Sequence, residues 1–291
     1  MDSDVAPALH PSQSASHLVD CIGQTFILAY KEDTTVLEKT LKQAGCRCEV
    51  LRQVHQPGQE DYSRSFLCLL NHRQAWERAL TSARPTLIVE ADFVPVRNLG
   101  QLPPSFDPSD PDLGIAWLYT CAPQVYRVTQ AGYAVGYSTA MVAYVITARS
   151  AQILIDLADE VAKEPGPRAY SPWDSGIDYY LQDRGFTDYV PFRNYGEHGG
   201  VPNPEHSQNR LSVTHRADVL YGPLSFQPPY AQPAASTSPK WDYLKGRLYG
   251  RIKGLGRFLL GKYLRIPVLI SAERPLPVAW FALRRQLTFW L

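Results

Sequence analysis

Apolar positions along the 291-residue chain fall into two rhythms. Short unbroken runs occur at Thr25–Tyr30 (TFILAY), Thr86–Val89 (TLIV), Leu113–Tyr119 (LGIAWLY) and Ala140–Ile146. A run without polar alternation leaves neither face for water, so it reads as a strand buried on both sides, as in a parallel sheet. Cys48–Val54 reads as a further strand. Spacings of three and four mark helices between them. Val36, Leu37 and Leu41 place one over Thr35–Ala44, stopped by Gly45, and Phe66, Leu69, Leu70, Trp76, Ala79 and Leu80 place another over Ser63–Leu80. Ser150–Glu160 is a third, and the chain turns helical again from Ser175. The strand–helix–strand opening starts a layered α/β fold. Residues 1–22 read as a loose leader, 23–221 as the α/β domain, 222–239 as a Pro/Ser/Ala linker, and 240–291 as a separate C-terminal segment.

Composition is that of a folded protein, with 45% hydrophobic and 20% charged residues, which excludes wholesale disorder. The net charge of +1 hides an asymmetry. From Lys240 onward there are 11 Lys or Arg against 2 Asp or Glu, a balance of +9, so the rest carries −8. In that basic segment Leu244, Leu248, Ile252, Leu255, Leu259 and Tyr263 recur at helical spacing. Lys245, Arg247, Arg251, Lys253, Arg257 and Lys262 take other faces. The pattern fits an amphipathic helix lying on an anionic membrane surface, or a tail packed on its own domain. Nucleic acid is the lesser rival, because no recognised binding motif is present. Gly246, Gly250, Gly254, Gly256 and Gly261 oppose the helix. At roughly 1 kcal/mol each they cost about 5 kcal/mol, so contacts outside the helix must offset them. Gly246, Gly250 and Gly254 share a face that allows close approach to another helix. Trp280, Phe281 and Trp290 suit a headgroup layer.

Five cysteines show no metal-type spacing and read as thiols of a reducing compartment. The start lacks the basic-then-apolar order of a secretory signal, and no apolar run reaches the ~18–20 residues of a membrane span. These features place the chain in the cytoplasm, peripheral at most on the inner face of a membrane.

The chemistry concentrates where TLIVEADFVP ends its apolar run in Glu90 and Asp92. Open α/β sheets bind ligands at the carboxyl ends of their strands. Two acids there repel unless a cation or hydrogen bonds compensate them. Mn²⁺ or Mg²⁺ would do so and would take further ligands from a nucleotide diphosphate; a turn-capping pair is the equal alternative. In WDSGID, Asp174 reads as a helix N-cap or a base. Asp178, one turn on, reads as a buried acid able to take a proton. His72, beside Asn71 on an otherwise apolar helix face, needs hydrogen-bond partners. His198, in YGEHGG, sits where glycines let backbone approach a ligand; it reads as a metal or phosphate contact, or as a surface histidine.

SFLCLLNHRQAWERAL followed by TLIVEADFVP resembles the family 25 glycosyltransferases of lipooligosaccharide and collagen type. Their helix has a Cys-x-x-Ser-His-x-x-x-Trp flavour and their strand ends in Glu-Asp-Asp. Cys68, His72 and Trp76 keep the spacing, with Asn71 for the serine; Glu90 and Asp92 are kept, with Ala91 for the middle acid. AYVITARSAQILID (Ala143–Asp156) resembles the later strand–helix of that family, and GIDYYL puts Asp178 where its later aspartate falls. The resemblance implies a GT-A-like, Rossmann-type α/β/α sandwich. It implies transfer of a hexose, galactose by analogy, from a nucleotide sugar such as a UDP-sugar to a surface-glycan or lipid-linked acceptor. Inversion by a carboxylate base, Asp178 or failing it Asp174, is part of that implication. Glu90, Asp92 and His72 would serve the cofactor, and Asp92, Glu90 and His198 the metal. A nucleotidyltransferase and a non-catalytic glycan- or nucleotide-binding relative are the rival readings.

Overall fold

The computed structural model describes residues 17–121, 123–200, 215–232, 237–261, 269–270, 272 and 274–287. Eight strands form one sheet: β1 (Gln24–Ala29), β2 (Cys48–Arg52), β3 (Thr86–Glu90), β5 (Leu113–Trp117), β6 (Gln124–Val128), β7 (Ala134–Tyr137), β8 (Ala143–Ile146) and β9 (Thr187–Val190). Their order is β2-β1-β3-β8-β5-β9-β7-β6. β4 (Phe93–Pro95) and β10 (Gly196–His198) pair in a separate two-stranded sheet. Helices α2 (Thr35–Gln43), α3 (Arg64–Ala79), α4 (Ala148–Lys163) and α5 (Ile177–Gln182) complete the expected α/β/α layering. α2 closes one face of the sheet through Leu37 and Leu41. α3 and α4 close the other through Phe66, Leu69, Trp76, Leu154 and Ala158. Both long helices start on their own caps. Ser63 Oγ accepts from Phe66 N at 3.1 Å, and Thr147 and Ser150 form a reciprocal capping box.

The sheet is mixed where an unbroken apolar run suggested a parallel one. β1 runs parallel to β2 and β3, but β8 enters antiparallel between β3 and β5. Burial on both faces, not strand direction, produces the unbroken pattern, and β3 and β8 are buried throughout except at Glu90. The β6–β7 hairpin at the sheet edge escapes the pattern because β6 alternates and β7 carries Gly136. A Cβ at Gly136 would lie 2.0 Å from the Gln124 carbonyl oxygen, so the glycine permits the pairing rather than ending the strand.

Three boundaries move. The leader ends before residue 22: α1 (Leu18–Cys21) is helical, Leu18 is buried, and its amide donates to the Leu102 carbonyl at 2.7 Å. Residues 1–16 lie outside the described residues. The segment read as a linker is docked over 222–232, where Leu224 bridges Val96 and both Leu224 and Ala231 are buried. The described part of the C-terminal segment follows the packed alternative. α6 (Pro239–Leu259) and α7 (Pro275–Gln286) pack on the domain. A Cβ at Gly250 would meet the Ala217 carbonyl at 2.5 Å, and one at Gly254 the Asp218 Cβ at 2.5 Å. The small-residue face therefore lies on the Tyr230 ring, the Ala217 carbonyl and the Asp218 side chain rather than on another helix. Gly261, with φ +66, is the left-handed stop just beyond the helix. Lys262, Tyr263 and Trp290 lie outside the described residues.

Candidate functional site

β3 delivers Glu90 and Asp92 to its carboxyl end through a turn held on both sides. Glu90 N donates to the Val142 carbonyl and Ala91 N to the Leu28 carbonyl, each at 2.8 Å. β4 then pairs antiparallel with β10, setting His198 opposite Phe93, and Gly199 N donates to the Asp92 carbonyl at 2.8 Å. That pairing brings His198 to the acids, with Nε2 at 3.1 Å from Asp92 Oδ2. One ligand-type atom from each of Glu90, Asp92 and His198 lies within 4.8 Å of the others.

His72 belongs to the same corner but does a different job. Its Nε2 is 3.2 Å from Glu90 Oε1 and its Nδ1 is 2.8 Å from the Tyr144 hydroxyl, which accepts from Trp76 Nε1 at 2.8 Å. A carboxylate only accepts, so Nε2 carries a proton; in neutral imidazole Nδ1 then accepts the Tyr144 proton. Trp76, Tyr144 and His72 thus form a buried donor chain that ends on Glu90 and fixes its rotamer. Cys68, one turn before His72, lies 3.9 Å from Glu90 Oε1. Burial, reinforced by Glu90, pushes its thiol well above the ordinary range, so it is no thiolate.

Asp92 and His198 are mutually charged. Burial alone would raise the Asp92 carboxyl, but the charge and hydrogen bond of His198 hold it below its usual range. Burial would lower His198, yet Asp92, with a smaller contribution from Glu90, lifts it to about 9. Even so the pair is incompletely satisfied. Asp92 Oδ1 and His198 Nδ1 are buried with no hydrogen-bond partner among the described residues. Gly200 seals the corner: a Cβ there would lie 2.4 Å from Asp92 Oδ2 and 2.7 Å from His198 Nε2. Two carboxylates and one imidazole, with carboxylate and ring atoms unspent, fit a divalent cation of the Mn²⁺ or Mg²⁺ kind. A cleft of about 640 Å³ opens beside them, lined by Tyr30, His55, Asn71, Ala91 and both acids.

The two later aspartates part company. Asp174 sits in a 3₁₀ turn, Trp173–Gly176, and caps no helix: α5 begins after Gly176 with no side-chain cap. Trp173 anchors that turn to α3, donating from Nε1 to the Ser65 carbonyl at 3.1 Å and packing 5.4 Å from the His72 ring. Asp174 is half-buried. Desolvation, with the Glu90 charge adding to it, raises its carboxyl to about 7. Asp178 is fully buried and faces the sheet edge, where Oδ2 accepts from the Tyr126 hydroxyl of β6 at 2.9 Å. Burial raises it too, against the Tyr126 hydrogen bond, and its Oδ1 has no partner among the described residues. Asp174, not Asp178, therefore shares the electrostatic field of Glu90.

No known family description and no curated protein matches the chain. Several solved structures are similar to it in part. One is a glycosyltransferase involved in the glycosylation of the major capsid of PBCV-1, at TM-score 0.39 and 13% identity, over 58% of this chain and 81% of that one. Another is a mutant Drosophila β-1,4-galactosyltransferase 7 in complex with manganese, UDP-Gal and xylobiose, at TM-score 0.34 and 11% identity, over 58% of this chain and 65% of that one. At these values the likenesses carry neither a family nor an activity to this chain.

Several residues of the site are invisible to local spacing. Arg216 donates to the carbonyls of His198 at 3.0 Å and Gly200 at 3.2 Å and lies over the Tyr230 ring at 3.7 Å. It fixes the backbone around the histidine and sets a positive charge near Asp92. Glu197, beside His198, accepts from His198 N at 3.1 Å and Ala217 N at 2.8 Å and pairs with buried Arg247 of α6. Tyr119, buried and without a partner for its hydroxyl among the described residues, tilts over the His198 ring at 6.0 Å. Their contacts with Ala217, Arg247 and His198 join residues well apart in sequence, which local spacing does not reveal.

Proposed function

We propose that the chain is a metal-dependent glycosyltransferase. It would move a hexosyl unit, galactose by resemblance, from a UDP-sugar to a surface-glycan or lipid-linked acceptor. The observation that carries this reading is the Glu90, Asp92 and His198 cluster with unspent ligand atoms, at the carboxyl end of β3 and beside an open cleft. Ala91 leaves the strand end one acid short of the resembled pattern, and His198 supplies the missing donor. Glu90, Asp92 and His198 would hold the ion, which neutralises charge on the departing diphosphate. Tyr30 and His55, stacked at 4.3 Å on the cleft wall, offer flat faces to a base. His72 keeps Glu90 pointed at the ion.

Of the two aspartates, Asp174 would be the base. Its raised carboxyl, near 7, sits where a general base both ionises and accepts a proton. The acceptor oxygen attacks the anomeric carbon as its proton passes to Asp174. The anomeric carbon–oxygen bond to the diphosphate breaks, and its electron pair leaves with the diphosphate, so the anomeric configuration inverts. Asp178 would hold the Tyr126 hairpin through its hydrogen bond.

The test is product analysis after incubation with UDP-galactose and Mn²⁺. Slow release of UDP and free galactose, lost in Asp92→Asn and Asp174→Asn, supports the reading. Release of UMP and sugar phosphate would assign nucleotidyl chemistry instead. No turnover of any UDP-hexose, in protein that binds UDP with Mn²⁺, would make the chain a non-catalytic binder.

A further inference from the structure

α6 has two faces that do opposite things. Arg247, Gly250 and Gly254 are buried against the domain, with Arg247 Nη1 paired to Glu197 and donating to the Ala217 carbonyl at 2.9 Å. On the reverse face Trp241, Leu244, Leu248, Ile252, Leu255 and Leu259 make one line at helical spacing, and all are exposed: Trp241 63%, Ile252 61%, Leu259 73%. α7 repeats the arrangement. Arg285 is buried inward, while Leu276, Trp280, Leu283 and Leu287 stand outward, Leu276 at 80% and Trp280 at 59%. The two helices are tied side by side, Arg251 Nη1 donating to Gln286 Oε1 at 2.9 Å.

Water is an unfavourable partner for a row of leucines and tryptophans, and exposed apolar surface of this extent marks an interaction site. We infer that the outer faces of α6 and α7 are a docking surface for an anionic lipid bilayer, on which the helices lie in the headgroup plane. Three observations choose this occupant. Arg247 and Arg285 are spent inward on Glu197 and Asp218, but Arg274 and Arg284 at α7 are exposed, and positive charge on this side attracts anionic lipid and opposes a second copy of the same face. Exposed Lys240 and Lys245 flank the apolar row on α6, the order of an interfacial helix. Among the described residues no helix is long and apolar enough to cross a membrane, so the contact is with the surface. The buried arginines explain why the row faces outward at all, because they pin the other side of each helix to the domain.

The contact is independent of which reaction the cleft performs, though it would bring a lipid-linked acceptor to the same face of a bilayer. It is tested by co-sedimentation of the full chain with vesicles of phosphatidylglycerol and phosphatidylcholine, or of phosphatidylcholine alone. The expected result is partition onto the anionic vesicles, weakened by salt. A Leu248→Glu, Ile252→Glu double variant, whose altered side chains are exposed and leave the fold and UDP–Mn²⁺ binding unchanged, should lose about tenfold or more of it. Equal partition of the variant and wild-type, or a wild-type that stays in solution with anionic vesicles at low salt, would overturn the inference. So would a wild-type dimer that the double variant dissolves, since the occupant would then be a second copy.

Discussion

Two clusters of acids, one buried and one half-buried, lie next to each other in this protein and are treated in opposite ways. Glu197 and Asp218 are saturated. Glu197 accepts two backbone amides and pairs with Arg247; Asp218 accepts from Asn194, Val219, Gln286 and both ends of the Arg285 guanidinium. Their partners arrive from α6 and α7, and the result is a clamp. Among the described residues no arginine pairs with the side chains of Glu90, Asp92 or His198; Arg216 holds only the backbone carbonyls of His198 and Gly200. Asp92 leans on a histidine that must itself be charged to help, and one atom of each is left unspent. Acids buried with arginines hold the fold together, whereas the half-buried acids beside a titratable imidazole keep polar atoms unspent.

The contrast can be broken at either cluster. The largest effect belongs to the clamp. Arg247→Met leaves Glu197 charged and buried, and should lower unfolding stability by about 3–5 kcal/mol in denaturant titrations. Adding Glu197→Gln should recover part of it, and a silent single variant would show that α6 is not held this way. At the other cluster the proton and the cation compete for His198, whose pKa is raised to about 9. Were His198 a ligand, Mn²⁺ affinity should therefore level off above that value and fall below it, about 50-fold between pH 9 and pH 7. The sign is opposite for the metal-free fold. A pKa raised above 6.5 means the Asp92–His198 pair stabilises fully below that pH and fades as pH rises through about 9. Flat metal affinity over this range would remove His198 from the ligand set.

Smaller changes sharpen the same comparison. Gly200→Ala puts a methyl group against Asp92 and His198 and should weaken Mn²⁺ binding about tenfold, or ~1.4 kcal/mol, with little change in melting. Tyr144→Phe cuts the donor chain behind Glu90. It should cost about 1 kcal/mol of stability and a few-fold in metal affinity; an unchanged affinity would make His72 merely structural.

The difference between the clusters also marks how far the sequence could be read. β3 and its acids are legible because a fully buried strand leaves an unbroken apolar run, and two acids ending it stand out. His72 shows through as a polar break in an apolar helix face, and His198 through its glycines, which the structure explains as close contacts with Pro229 and the acid–histidine pair. The clamp is illegible. Arg247 and Arg285 look like surface cations of an amphipathic segment until their partners, distant in sequence, are known. Asp178 outranks Asp174 in the sequence because it precedes an apolar run; the structure buries it and spends Oδ2 on the Tyr126 hydroxyl. Strand direction is not encoded in burial, so the mixed sheet could not be anticipated from β8.

Calorimetric titration of UDP into the folded protein, with and without Mn²⁺, tests the central claim most directly. Binding should require the cation in the wild-type and be lost in Asp92→Asn, whose melting temperature stays close to that of the wild-type. Metal-independent UDP binding, or an Asp92→Asn variant that binds UDP with Mn²⁺ as well as the wild-type, would contradict the assignment of this corner as the nucleotide–metal site.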